Sequence, residues 1–433
     1  MTRRPPAPIP WPFYVVWAAN FLFFLNFAFF FLLPLWILAR GGGEETVGRV
    51  VGVSGLAGLV VLPLIGYLLD RFGRRRFMIS GALIAALASA GFIFVDEIGP
   101  SLYALRIIQG VAFTCAFTGA QTLAVLFAPP DRRAAAIGWF GISTILTHAI
   151  SPLVGEEIIT RWGFDAMFAI GAGLGMIAFV LSCLLPQPPE LRGPATRHGV
   201  DPGLARRAVA TASLAMVCYG FGFGATQTFV PVMMERFDLG RVGTFFLSWS
   251  VAAVTMRILL GGASDRFGRR AVILPAMATM SLAVLMLTTL RTLPGMIAVG
   301  LTFGMAQGLL YPTMNALVAD WSSPHNIGRV QSLFSGSYSL GIAGCSFFFG
   351  TIAENHGFSI MFWITFAITL IGLAIFLAGP KEEIARESAL ADAAAALDEA
   401  ESVDEDVDGG YQEAKKSSTS VLSTPTLSSR PSR

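Results

Sequence analysis

Apolar residues arrive in this chain in blocks too long for an element of a soluble protein. Trp11 to Leu38 and Phe77 to Val95 each run without one charged residue, and a helix rising about 1.5 Å per residue needs roughly 20 such residues to cross the hydrocarbon of a bilayer. Backbone amides find no water at that depth, so a block of this kind must fold as a helix. Composition agrees: 54% of residues are hydrophobic and 13% charged, with 35 Phe, against about 25% charged in an ordinary soluble domain. The first block exceeds the apolar core of a secretory signal, and no small-residue cleavage pattern follows it, so it reads as a retained helix.

Dividing the sequence at charged and Gly/Pro-rich breaks gives twelve helices, near residues 11–38, 50–69, 77–95, 102–127, 134–158, 164–185, 209–234, 242–260, 271–290, 295–318, 327–352 and 358–377. With the N-terminus inside, the cytoplasmic loops hold fourteen arginines, among them Arg71, Arg74, Arg75, Arg76, Arg132, Arg133, Arg266, Arg269 and Arg270, whereas the outer loops hold six, Arg40, Arg49, Arg161, Arg236, Arg241 and Arg291. Lys and Arg stay on the cytoplasmic side of a membrane, so the expectation is a multi-pass protein of the inner (plasma) membrane with both termini cytoplasmic. Residues 1–10 form a cytoplasmic N-terminus, 11–185 one six-helix bundle, 186–208 a polar Pro/Gly/Arg linker, and 209–379 a second bundle. From 380 to 433 an Ala/Glu/Asp segment gives way to a Ser/Thr/Pro tail, which reads as disordered and cytoplasmic. Cys115, Cys183, Cys218 and Cys345 all fall in apolar blocks without metal-like spacing and read as buried packing residues.

Shifting the sequence on itself by 195 residues lays Gly66-Tyr67-Leu68-Leu69-Asp70-Arg71-Phe72-Gly73-Arg74-Arg75 over Gly261-Gly262-Ala263-Ser264-Asp265-Arg266-Phe267-Gly268-Arg269-Arg270, with seven of ten positions identical. Each copy follows the second helix of its half, so the chain is a duplicated six-helix unit, and parallel repeats of this kind place a substrate site between the halves near the midplane. Gly66-x-x-x-Asp70-Arg71-x-Gly73-Arg74-Arg75-Arg76 and its second copy resemble the loop signature of the major facilitator superfamily. The resemblance covers about residues 11 to 379. It implies an all-α membrane protein of two six-helix bundles working by alternating access. The residue types suit a gating latch: Gly66 and Gly261 for close helix contact, Gly73 and Gly268 for tight turns, and Asp70 and Asp265 to accept from a helix N-terminus or from Arg71, Arg74, Arg266 and Arg269.

Polar residues inside the membrane are functional candidates by default. In the fourth block Arg106-Ile107-Ile108-Gln109-Gly110 resembles an Arg-x-x-Gln-Gly motif of the same family, and Gln109 and Gln121 lie about 60° to either side of Arg106 in one stripe. Gln307, Tyr311 and Asn315 make a stripe in the tenth, Gln227 lies in the seventh, and Asn20 and Asn26 lie in the first. The resembled family lines its cavity with these four helices. Arg257, in the eighth block, needs a carbonyl, a distant carboxylate or an anionic substrate group as partner. The fifth block, Gly138-x8-Thr147-x3-Ser151-Pro152-x2-Gly155-Glu156, keeps the spacing of the family's antiporter pattern, with Thr147, Ser151 and Glu156 in place of glycines.

Efflux of small, partly apolar compounds driven by protons is the leading functional expectation, with uptake of an organic anion as the alternative. His148, near the middle of the fifth helix, is the first candidate for proton coupling and Glu156 the second. No clustered nucleophile and base, metal-ligand set or phosphate-cradling loop is legible, so neither an enzyme nor a cofactor is expected. The expected partners are a small-molecule substrate, protons and the lipid bilayer, with no nucleic acid, and the protein is expected to be a monomer.

Overall fold

A computed structural model describes residues 9–129, 133–187, 202–289, 291–322 and 327–379. The proposed tail, most of the linker, Arg132, His198 and His325 lie outside the described residues. Among the described residues, ten helices are long and apolar enough to cross a membrane. Two of the ten are pairs, because Gly163 and Gly357 both turn the chain at φ 82°. The spanning helices are α1 (Trp11–Ala39), α2 (Glu44–Phe72), α3 (Arg74–Gly91), α4 (Pro100–Phe127), α5 (133–162), α6 (164–183), α7 (Pro202–Arg236), α8 (Val242–Leu260), α9 (Arg269–Met286), α10 (Leu293–Asp320), α11 (327–356) and α12 (358–378). α7 begins at Pro202 rather than at 209, since proline is pre-organised for the first turn of a helix and Ala-Arg-Arg-Ala follows it. Cys183 is exposed at the end of α6, whereas the other three cysteines are buried as expected.

The duplication read from sequence recurs in the backbone. Gly73 (φ 91°) and Gly268 (φ 92°) make the same left-handed turn ahead of α3 and α9, a region that favours glycine. The arginines two residues on then do the same work in each half. Arg75 donates to the Cys183 carbonyl at the end of α6 (2.7 Å), and Arg270 donates to the Phe376 (2.8 Å), Leu377 (2.7 Å) and Gly379 (3.1 Å) carbonyls at the end of α12. A cation there satisfies orphan carbonyls and opposes the negative end of the helix dipole.

The halves meet along two antiparallel seams, α2 with α11 and α5 with α8. Gly48, Gly52 and Gly55 bring α2 against α11 backbone to backbone: a Cβ on Gly52 would lie 2.7 Å from the Phe347 amide nitrogen, and one on Gly55 would lie 2.8 Å from the Ala343 Cβ. Such small residues matter because lipid is as apolar as the helices, so association rests on packing and hydrogen bonds rather than on hydrophobic burial. One end of the bundle, carrying Glu44, Glu45, Glu156, Glu157 and Glu354, is called the acidic rim here; the other, carrying Arg71, Arg74, Arg75, Arg266, Arg269 and Arg270, the basic rim. The tight part of the α2–α11 seam runs inward from the acidic rim.

Gly66 does not make the close helix contact expected of it. A Cβ there would meet nothing within 4 Å. The seam glycines lie earlier on α2, and Gly66 has passed the contact with α11. Overpacking a tight contact costs roughly 1–3 kcal/mol, so Gly52→Val is expected to lower the unfolding temperature of the detergent-purified protein by several degrees while Gly66→Ala leaves it unchanged, as followed by thermal unfolding of the two variants.

Candidate functional site

Three groups of the expected cavity residues are tied up inside one half or the other. In the first, Arg106 is buried and donates through Nε to the Val50 carbonyl (3.3 Å) and through a terminal nitrogen to Gln109 Oε1 (2.8 Å). Gln109 Nε2 donates to Ser89 Oγ (3.4 Å), and Ser89 Oγ donates to Asn26 Oδ1 (2.8 Å). The chain of bonds crosses α2, α4, α3 and α1 within the N-terminal half. Arg106 therefore does not snorkel to the interface. Gln121, expected in the same stripe, is exposed on α4 and belongs to a different environment: residues about 120° apart on one helix need not face one space.

The second group pins α1 to α5. Asn20 Nδ2 donates to Ser143 Oγ (3.0 Å), and Ser151 Oγ donates to the Leu25 carbonyl (3.0 Å). The third lies in the C-terminal half, where the α10 stripe is met residue by residue from α11. Gln307 Nε2 donates to the Tyr338 hydroxyl (2.7 Å), Tyr311 and Ser335 approach to 3.5 Å through their hydroxyls, and Gln331 Nε2 donates to Asn315 Oδ1. Gln227 is half-buried on α7.

Two of the sequence candidates sit instead where the halves face each other. His148, on α5, lies between Phe31 of α1 (ring centroids 5.0 Å apart) and Trp249 of α8 (5.0 Å, edge to face), with Phe24 at 6.4 Å. Phe31 stacks in turn on Phe246 of α8 at 5.6 Å. His148 Nδ1 is 2.7 Å from the Thr144 carbonyl oxygen. A carbonyl can only accept, so Nδ1 carries the hydrogen and the neutral ring keeps its lone pair on Nε2. Arg257 reaches from α8 toward α5: its Nε donates to the Gly308 carbonyl (3.2 Å), and its guanidinium lies against Gly141, in space that a side chain at 141 would fill. Among the described residues Arg257 has no carboxylate partner. The Phe31, Phe246 and Trp249 rings, the His148 imidazole with its free Nε2 and the Arg257 guanidinium thus pack together at the junction of the two halves.

The remaining candidates lie at the rims. Glu156 accepts from the Val242 (2.7 Å) and Gly243 (2.8 Å) amides, at the acidic end of the α5–α8 seam. At the basic rim Arg269 pairs with Asp320 (3.1 Å) and donates to Ser264 Oγ (2.8 Å), both within its own half. Arg71 lies beside the Phe72 ring. The backbones of Asp70 and Asp265 are helical, and their side chains lie outside the described residues. The helix-capping roles of Arg75 and Arg270, and the inter-half contacts of Glu354 and Arg236, went unread in the sequence; the repeat offered a signal only for the first pair.

A sequence model of the Major Facilitator Superfamily matches residues 15–262 and 212–425. The chain is 22% identical over 381 residues to the multi-drug resistance efflux pump PmrA of Streptococcus pneumoniae, covering 81% of this chain and 91% of that one. It is 22% identical over 382 residues to the staphylopine export protein of Staphylococcus aureus, covering 83% and 94%. Among solved structures, the human organic anion transporter MFSD10 (TETRAN) superposes with a TM-score of 0.68 at 17% identity, over 86% of this chain and all of that chain.

The Asn26–Ser89–Gln109–Arg106 chain carries a stability prediction. Polar bonds of this kind contribute about 0.6–2 kcal/mol each in a membrane bundle, so Ser89→Ala, which orphans both neighbours, is expected to lower the unfolding temperature in detergent by a few degrees while leaving the affinity for any bound compound within about twofold. Ligand-dependent thermal shifts on the two proteins check both halves of that statement.

Proposed function

Because this chain belongs to the Major Facilitator Superfamily, we propose that it works as a proton-coupled exporter of small, partly apolar compounds, with the basic rim at the cytoplasm. It is a multi-pass membrane transporter. The observation that carries the finer reading is the junction of His148, Arg257 and the Phe31, Phe246 and Trp249 rings between the halves. Export is supported by relatives named as efflux and export proteins across more than four-fifths of the chain, and the orientation by the arginine asymmetry of the loops.

Coupling to protons needs a group that titrates near neutral pH and can be reached from both sides in turn. Arginine cannot supply it. His148 has its Nε2 free to take a proton and sits against both halves, so protonation there would place a second cation on the same seam as Arg257 and weigh against the closed junction. Glu156 is less suited, since its carboxylate is engaged at the rim. Asp70 and Asp265 are proposed as latch residues of the basic rim that engage when that rim closes.

A second reading, uptake of an organic anion with protons, is favoured by Arg257 alone, a membrane-embedded cation without a described carboxylate partner. Accumulation by everted rather than right-side-out vesicles supports export, and the reverse supports uptake.

His148→Gln keeps bulk and hydrogen bonding but cannot titrate. It is expected to abolish accumulation driven by a pH gradient while sparing substrate-induced thermal shifts and downhill exchange; undiminished gradient-driven transport would sink the coupling role. For the latch, Asp70→Asn and Asp265→Asn are expected to leave folding and insertion intact and to slow substrate exchange at least tenfold, a change that counterflow in proteoliposomes measures.

A further inference from the structure

Helices α2 and α8 both begin at the acidic rim with a residue that cannot cap them. The N-cap of α2 is Gly43 and that of α8 is Arg241, and neither side chain accepts a hydrogen bond there. The first amides of a helix are orphans, normally satisfied by Ser, Thr, Asp or Asn at this position. Here the acceptors come from the opposite half. Glu354, on α11, accepts from the Glu45 amide of α2 at 2.8 Å. Glu156, on α5, accepts from the Val242 (2.7 Å) and Gly243 (2.8 Å) amides of α8, one amide on each carboxylate oxygen.

We propose that Glu156 and Glu354 are gating residues, a reciprocal pair of helix caps exchanged between the two halves that holds the acidic rim shut. Each half supplies the acceptor for the other's helix end, so both caps are made only while the rim is closed and both are surrendered to water when it opens. The bonds are charge-assisted and lie at the positive ends of two helix dipoles. Ion pairs at the same rim add to them: Arg236 holds Glu44 at 2.9 and 3.2 Å, while Arg241 approaches Glu156 at 3.7 Å and holds Glu157 at 3.1 Å. Arg161 pairs with Glu157 and Thr351 donates to Glu45. The ion pairs do not replace the caps, because only the caps satisfy amides that have no acceptor within their own helix.

The inference rests on the alternating-access reading, but its test needs no transported compound. In a background with Cys115, Cys183, Cys218 and Cys345 replaced by Ala, Leu153→Cys puts a thiol on the half-buried α5 residue whose backbone lies directly against Gly243, one turn from the Glu156 cap. The rate at which a water-soluble maleimide labels it in detergent reports opening of the acidic rim. Glu156→Gln keeps one accepting oxygen but loses the other and the charge, and should raise that rate roughly 2- to 30-fold, the range found for weakening or losing a helix cap. Val242→Pro removes one of the two donors instead of the acceptor and leaves the Gly243 amide in place. Proline suits the first position of a helix, and Arg241 before it already has the extended backbone, ψ 131°, that precedes proline. It should raise the rate too, by no more than Glu156→Gln does, and the double variant should rise by clearly less than the product of the two single effects. Glu354→Gln, on the other seam, should raise it as well, because two rigid halves part along both seams together. Silence of Val242→Pro and Glu354→Gln, or an Arg241→Gln protein that accounts for the whole effect of Glu156→Gln, would show an ion pair or a local contact and overturn the paired caps. A protein that labels as proposed but transports nothing tested leaves the caps standing and removes only the exporter reading.

Discussion

Contact between the two halves rests on backbone approaching backbone in a solvent that offers helices no hydrophobic reason to associate. In water the apolar faces of α2 and α11 would be driven together; in lipid they are already at home, and only tight packing and polar bonds distinguish the paired state from the separated one. The glycines of α2 and the carboxylates of Glu156 and Glu354 answer to that one constraint at different points of the same seams. The glycines let dispersion act at short range, and the carboxylates add directed, charge-assisted bonds where the helices emerge. Neither device is bulky, which suits the opening and closing of the seams that the proposed cycle requires.

The polar residues divide along the same line. Those bonded within a half, such as Asn26, Ser89, Gln109 and Arg106, join helices that move together, so their bonds persist through a change of state. Those placed between the halves, His148 and Arg257, would change surroundings in the alternating-access cycle proposed above. On the proposed coupling, a charge taken up by His148 would have a different free energy in each state, and a proton that binds two states unequally shifts the balance between them. The Arg106 network, fully committed to its own half, has no such leverage.

The architecture was legible because its signals are long and redundant: apolar blocks of membrane-spanning length, arginine asymmetry, and a ten-residue motif repeated at a fixed shift. The candidate site was only partly so. Helical spacing identified Gln307, Tyr311 and Asn315 as one stripe, but it could not tell that Tyr338, Ser335 and Gln331 on the next helix would take up that stripe, because pairing between helices leaves no mark on the period of either one. Gly66 and the seam glycines differ only in position along α2, so contact could not be assigned between them without the partner helix. Glu156 stood out as a carboxylate where the resembled pattern has glycine, and chemistry alone suggested a proton site. Its actual partners are backbone amides of α8, and backbone is invisible to any motif.

Symmetry makes the junction informative in a further way. The same 195-residue shift that superposes the loop motifs carries Leu62 onto Arg257, Gly141 onto Gly336 and His148 onto Ala343. The geometry follows: Leu62 lies 3.8 Å from where a side chain would begin at Gly336, as Arg257 lies over Gly141. On the α2–α11 seam the corresponding positions are thus aliphatic and small, and packing accounts for them. On the α5–α8 seam the same geometry holds a guanidinium and an imidazole, groups that packing alone would disfavour in lipid. The departure from the repeat therefore sets the two seams apart midway along their length: α5–α8 holds ionisable side chains where α2–α11 holds only aliphatic and small ones.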